Sequence, residues 1–213
     1  MPFAFVACWI PPMSRRRRSH PLRAAFLAAG SLAIGLWSSS KKGREADLDG
    51  FRAVNSSHDP QRDKVYSGLT ELGSIWASIG AASAIAISGR SRTATRALAA
   101  AGATWALGQL LKKAFMRPRP YDALEDSRLL IGKPSGTSWP SSHPAVLLTF
   151  VTVVSRDLGL SKTARAGLMA LAGSVGVSRT YLGVHYPSDV AGGLLMGRAV
   201  GLAWPTGTSE TPI

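Results

Sequence analysis

The chain has 213 residues, enough for one domain with a sizeable core, and shows no internal repeat. Hydrophobic residues make up 46% and charged ones only 17%, below the roughly 25% of soluble domains, so the composition suits a membrane. Lys and Arg outnumber Asp and Glu by 25 to 12, for a net charge of +13; the basic residues sit in short clusters between apolar stretches, which argues against a nucleic-acid partner and for an anionic membrane surface or a phosphorylated substrate.

Residues 1–21 read as a disordered basic leader. From Met13 onward, Arg15–Arg18 precede an apolar run in signal-peptide order, which marks Met13 as a candidate start. No small-x-small cleavage site follows, so the run is expected to stay as a first helix. The single Cys8 allows neither an internal disulfide framework nor a cysteine metal site.

Six apolar segments are expected as helices, over 22–38, 67–89, 95–114, 144–158, 164–178 and 187–204. Within the second, Leu72–Gly89 carries no charge for eighteen residues, the length needed to cross a bilayer. The run Ala97–Thr104 is built of small residues that let helices approach closely in lipid. The segments Arg15–Arg23, Arg90–Arg96 and Arg156–Arg165 are strongly basic and alternate with less basic ones, as the positive-inside rule requires of a multi-spanning chain. Segment 39–66 mixes both signs and reads as an outer loop; 205–213 reads as a disordered tail. The expected fold is all-α, a six-transmembrane-helix bundle over 22–204, with the active site at the outer membrane-water interface.

Three clusters fall on that outer side. The first runs from Lys112 to Arg119-Pro120, where Pro118 and Pro120 hold the chain extended and aim Arg117 and Arg119 for bidentate phosphate binding. Lys113 reads equally well as an interfacial anchor. The second, Trp139-Pro140-Ser141-Ser142-His143-Pro144, opens a helix, with Pro144 at its first position and free N–H groups for an anion. The third runs from Ser178-Arg179 to His185 and Asp189, with Pro187 starting a helix. The spacing of four brings the Asp189 carboxylate to the His185 ring, fixing its tautomer and leaving the other nitrogen free as nucleophile or base. Each cluster alone has an ordinary explanation, Asp189 for example as a first-turn acid favoured by the helix dipole.

Together they resemble a known signature. Lys112, six residues, Arg119-Pro120; Pro140-Ser141-Ser142-His143; and Ser178-Arg179, five residues, His185, three residues, Asp189 are similar to the three-part motif of the type 2 phosphatidic acid phosphatase superfamily, which includes vanadium haloperoxidases. The resemblance covers about residues 65–204. It implies catalytic His185, His143 and Asp189, with Lys112, Arg119, Ser141, Ser142 and Arg179 holding the phosphate. His185 would attack phosphorus to form a phosphohistidine, and His143 would protonate the departing oxygen. It implies no metal and no other cofactor, a lipid phosphate such as a polyprenyl diphosphate or phosphatidic acid as substrate, and membrane lipids as surroundings. The oligomeric state is left open. The family's usual glycine is Ser142 here, whose Cβ could crowd the phosphate and whose hydroxyl could donate to it. A phosphotransferase would share every residue, and a silent lipid-binding relative is the alternative outside catalysis. His20 and His58-Asp59 lie outside the match and read as loop residues.

Overall fold

The computed structural model describes residues 20–56 and 59–205, and all of its regular structure is helical. The expected leader and tail therefore lie almost wholly outside the described residues, as do Cys8, Met13 and His58. The helices are α1 (Pro21–Ser38), α2 (Lys41–Asn55), α3 (Pro60–Glu71), α4 (Ile75–Ile87), α5 (Ser91–Phe115), α6 (Pro120–Ala123), α7 (Ser142–Asp157), α8 (Lys162–Tyr181) and α9 (Pro187–Ala203).

Two expectations are corrected. Segment 39–66 is not a loop, for it carries α2 and the start of α3. Ser40 caps α2 by accepting from the Gly43 N–H at 3.1 Å, and Asp59 caps α3 through the N–H groups of Gln61 and Arg62. Gly43, Asp47, Phe51 and Asn55 are buried at a spacing of four, so one face of α2 lies on the bundle. Segment 67–89 is not one helix either. It breaks at Leu72–Ser74, where Ser74 caps α4 through Ala77 N–H, and α3 and α4 meet at a bend of 59°. Gly73 forms the elbow because a Cβ there would stand 2.8 Å from the Cβ of His143 and 2.7 Å from Val175.

The bundle is organised around α7, which is buried from Pro144 to Ser155 and packs on α4, α5, α8 and α9. Its contact with α9 is close. A Cβ at Gly193 would strike the carbonyl of Ser141, and one at Gly197 the backbone of Ala145. Such small residues let two helix backbones touch, the usual basis of association in lipid. Hydroxyls add bonds across the core. Thr149 Oγ1 donates to the Gly197 carbonyl at 2.9 Å and pairs with Thr104 Oγ1 at 2.8 Å. Helix α1 lies along α9.

Large apolar side chains, by contrast, point outward. Leu22, Phe26 and Leu36 of α1, Trp76 and Ile87 of α4, and Leu110 of α5 are exposed. By length and composition α1 can cross a membrane, and α3 with α4 passes the same test as a bent pair.

The two ends of the bundle differ in kind. At one end the first residues of α1 meet the end of α9, with His20 N–H donating to the Leu202 carbonyl. Arg156 caps the carbonyls of Gly201, Leu202 and Trp204 there, and Arg96 pairs with Asp157 at 2.9 Å. The opposite end gathers the chain around residues 112–120, 138–143 and 179–189.

The α7–α9 contact generates a stability prediction. Gly197→Ala should destabilise the protein by about 1–3 kcal/mol, because the methyl has no room against Ala145. Gly102→Ala, on an open face of α5, should be neutral or stabilising by up to about 1 kcal/mol. Thermal unfolding of both variants in detergent checks this, and equal midpoints would contradict the close contact.

Candidate active site

Asp189 sits in the first turn of α9 and is fully buried. Its Oδ2 accepts from the Tyr186 N–H at 2.8 Å, which closes the helix cap, and from the Ser138 hydroxyl in a short bond. The His185 Nδ1 lies 3.5 Å from the same oxygen and 3.4 Å from Ser138 Oγ. Ser138 thus stands beside the pair and can pass the contact from Nδ1–H to the carboxylate. On the other side of the ring, Arg119 Nη1 donates to His185 Nε2 at 3.2 Å. An acceptor at Nε2 requires the proton on Nδ1, so the Nε2 lone pair faces the cationic side.

His185 is buried, and burial holds its pKa well below the ordinary value; Lys112, Arg119, Arg179 and His143 push in the same direction. The ring is therefore neutral. All four of those groups were expected at the site from sequence, and their common action on His185 places them around one point.

The cations are held by neutral acceptors. Lys112, at the end of α5, donates to the carbonyls of Thr137 at 2.8 Å and Ser138 at 3.2 Å. Arg119 donates to the carbonyls of Gly136, Val184 and Ser135. Arg179, in the last turn of α8, donates to Thr70 Oγ1 at 2.8 Å. Among the described residues none of the three has a carboxylate within ion-pair distance. Arg179 Nε, Ser141 Oγ and Ser142 Oγ are buried without a hydrogen-bond partner. Buried donors without acceptors are costly, and here they belong to residues that surround one histidine.

The remaining sequence-expected residues fall nearby. Ser141 is buried, stands directly before α7 without a side-chain capping bond, and donates its N–H to the Asp189 carbonyl at 3.0 Å, tying the second motif to the third. Helix α7 begins at Ser142, so Pro144 lies at its third position, not its first. Ser142 has its hydroxyl directed at α5, where a Cβ on Gly108 would lie 3.2 Å from it. The absent side chain at Gly108 makes the room that Ser142 uses. His143 is half-buried and packs its Cβ against the Gly73 elbow. Lys113 is exposed, and His20 is exposed at the far end of the bundle.

Arg117 is the main departure from expectation. It does not join Arg119 at the His185 ring but pairs with two carboxylates, Asp189 Oδ1 at 2.8 Å and Asp47 Oδ2 at 2.7 Å, and stacks on the Tyr186 ring at 4.2 Å. Burial alone would lower its pKa, yet Asp189 and Asp47 outweigh that and raise it. Sequence reading also missed Asp47, Thr70, Ser138 and Ser188. For Ser138 a signal was present, since it stands directly before Trp139-Pro140. A cavity of about 400 Å³ opens beside Arg117 and Tyr186, with Arg44, Leu48, Phe115 and Leu124 in its wall.

The arrangement is a helical bundle whose end holds a histidine–aspartate pair among cations. The profile of the PAP2 superfamily matches residues 93–211, more than half of the chain. The chain belongs to the PAP2 superfamily, a family of phosphatases acting on phosphate esters. It is 33% identical over 127 residues to the decaprenylphosphoryl-5-phosphoribose phosphatase of Mycobacterium tuberculosis, covering 59% of this chain and 67% of that one. Among solved structures it is similar to LpxE of Aquifex aeolicus, at a TM-score of 0.65 and 32% identity over 72% of this chain and 91% of that one. A transmembrane PAP2-type phosphatidylglycerolphosphate phosphatase from Bacillus subtilis shares the fold at a TM-score of 0.69, with 23% identity over 84% of this chain and 92% of that one.

The geometry predicts a neutral His185 protonated on Nδ1 at pH 6, because a lowered pKa moves proton uptake to pH values well below 6.5. Nitrogen-15 chemical shifts of the histidine rings in detergent, assigned with His185→Gln, check both features. A charged ring at pH 6 would contradict the site's electrostatics.

Proposed function

We propose that this chain is a multi-pass membrane phosphatase that removes phosphate from a lipid through a phosphohistidine on His185. The observation that carries the reading is the group of three buried cations with no carboxylate partner among the described residues, Lys112, Arg119 and Arg179, all acting on the His185 ring and Arg119 directly at its Nε2. Buried cations of this kind are completed by an anion, and a phosphate with its several oxygens suits two guanidinium forks and an ammonium.

In the reaction so assigned, the phosphoryl group displaces the Arg119 contact and lies against Nε2. The Nε2 lone pair attacks phosphorus in line and the bond to the lipid oxygen breaks. His143, which enters this step as the imidazolium, gives its proton to that oxygen and becomes neutral, and Asp189 stabilises the positive charge gained by His185 through the Nδ1 side. Water then attacks the phosphohistidine, His143 takes the water's proton, and phosphate leaves. Lys112, Arg119, Arg179 and the Ser141 hydroxyl stabilise charge on the equatorial oxygens.

The phosphatase domain spans 22–204. Helices α1, α3 with α4, α5, α7, α8 and α9 form six spans, α3–α4 as one bent span. The basic segments around Arg90–Arg96 and Arg156–Arg165 lie on the inner side, and the site opens on the outer side. Apolar side chains exposed on α1, α4 and α5, over a core that contains Thr104 and Thr149, support this placement. The M. tuberculosis relative acts on a polyprenyl-linked phosphate by its name, which makes polyprenyl phosphates and diphosphates the preferred substrate class.

The test is phosphate release from a panel of polyprenyl and glycerolipid phosphates, in detergent with EDTA. Wild type should release phosphate, and His185→Ala should fall to background. Lys112→Ala, Arg119→Ala and Arg179→Ala should each lose about 10²–10³ in kcat. Activity retained in His185→Ala, or dependent on added metal, would overturn the mechanism; phosphate appearing only on an added acceptor lipid would make the protein a transferase.

A further inference from the structure

Helix α2 lies outside the region matched to the family and carries no residue of the three-part signature, yet its buried face reaches the catalytic pair. Asp47 on that face is only 3% exposed and makes three bonds across to other elements. Its Oδ2 receives Arg117 Nη2 at 2.7 Å and the Ser188 hydroxyl, and its Oδ1 receives the Ser188 N–H at 2.9 Å. Arg117 in turn spans to Asp189 Oδ1, and its Nη1 also donates to Ser188 Oγ at 2.7 Å. One turn along α2, Phe51 packs on the Tyr186 ring at 5.8 Å, the same ring that Arg117 covers. The charges therefore alternate in a line, Asp47, Arg117, Asp189 and then the His185 ring.

We propose that Asp47, acting through Arg117, is a positioning residue for the reaction, and that docking of α2 sets the charge that Asp189 presents to His185. The inference rests on the assignment of His185 as nucleophile. During attack His185 gains positive charge, and Asp189 must be negative and fixed in place to stabilise it. Arg117 fixes Asp189 but also cancels part of its charge. Asp47 offsets Arg117 and restores it. Without Asp47 the cation next to Asp189 would be uncompensated; without Arg117 two carboxylates would face each other. A plain structural staple would change stability when either partner is lost, but would not displace the pH dependence of the reaction in opposite directions for the two charges.

The groups that face His185 are Lys112 from α5, Arg119 before α6, His143 from α7, Arg179 from α8 and Asp189 from α9. Those that face Arg117 are Asp47 from α2 and Asp189 and Ser188 from α9, with Tyr186 over its plane; Arg44 shares its cavity. Because the other groups stay unchanged, single substitutions in the line have opposite expected signs. Asp47→Asn adds a net positive charge, makes His185 harder to protonate, and moves the acidic limb of the kcat profile to lower pH. Arg117→Gln removes a positive charge and moves it to higher pH. Each shift should be about half a pH unit or more for a unit charge at this range in a partly buried site.

The experiment is the pH profile of kcat and KM for lipid phosphate hydrolysis in detergent, for wild type, Asp47→Asn, Arg117→Gln and the double variant, with His185→Ala as the zero. Asp47→Asn keeps the shape and an acceptor for the Ser188 N–H, and its amide nitrogen can donate to Ser188 Oγ, so it is expected to fold, and its thermal midpoint is measured alongside. Expected are a fall of about tenfold in kcat with KM within about twofold for each single variant, limbs displaced in opposite directions, and a double variant returned toward wild type. Losses without a shift, shifts of the same sign, or Asp47→Asn equal to wild type would overturn the inference while leaving the nucleophile assignment standing. Activity surviving in His185→Ala would instead remove that assignment, and this inference with it.

Discussion

Three cations buried without carboxylate partners set the terms for this structure. Taking a charge out of water costs several kcal/mol even after the protein relaxes, and the cost is normally recovered from an opposite charge. Here Lys112, Arg119 and Arg179 are given carbonyl and hydroxyl oxygens instead. Such acceptors orient a cation and ease its burial but leave its field intact. Burial already disfavours the charged form of His185, and this field pushes the same way, which preserves a lone pair at Nε2. A carboxylate partner for any of the three would have stabilised the resting protein and cancelled much of that field.

The rest of the fold holds these charges at fixed separations. Residues 112 and 119 come from one stretch of the chain and 179 and 185 from another, and the packing of α7 on α9 brings the second and third motifs together. That packing depends on backbone touching backbone, at Gly193 against Ser141 and at Gly197 against Ala145. The Ser141 N–H then bonds the Asp189 carbonyl, so the helix that bears His143 and the helix that bears Asp189 share a fixed origin. Asp189 itself does two jobs. It caps its own helix through Tyr186 N–H and serves the His185 ring with the same oxygen, so the start of α9 and the orientation of the histidine are one constraint.

What the sequence made legible follows from this. The three motifs carry their chemistry in residue type and spacing, and Pro187 marks the start of α9, so the cluster around His185 was readable in advance. Arg117 was not. Its flanking prolines suggest aim but not direction, and its partner Asp47 lies seventy residues away in a segment of mixed charge. From sequence that segment reads as an outer loop because the buried stripe of α2, Gly43, Asp47, Phe51 and Asn55, contains one apolar side chain, and hydrophobic periodicity cannot see a face made of polar contacts. The break at Leu72–Ser74 escaped for the opposite reason. An uncharged run looks continuous to hydropathy, whereas Gly73 and the Ser74 cap interrupt it through packing and hydrogen bonding.

The excess of basic residues, the first feature of the composition, resolves into two uses at two ends of the bundle. At the end where α1 begins and α9 finishes, arginines are spent on structure: Arg156 closes the carbonyls of α9, and Arg96 pairs with Asp157. At the other end the same residue type is divided by its partners. Arg117, between Asp47 and Asp189, contributes shape and a local charge balance; Arg119 and Arg179, held by neutral oxygens, contribute field. Net charge alone could not separate these uses, nor could the proximity of Arg117 and Arg119 in the chain. What separates them is whether an acidic residue is supplied across the fold: among the described residues Arg117 receives Asp47, and Arg119 and Arg179 receive no equivalent.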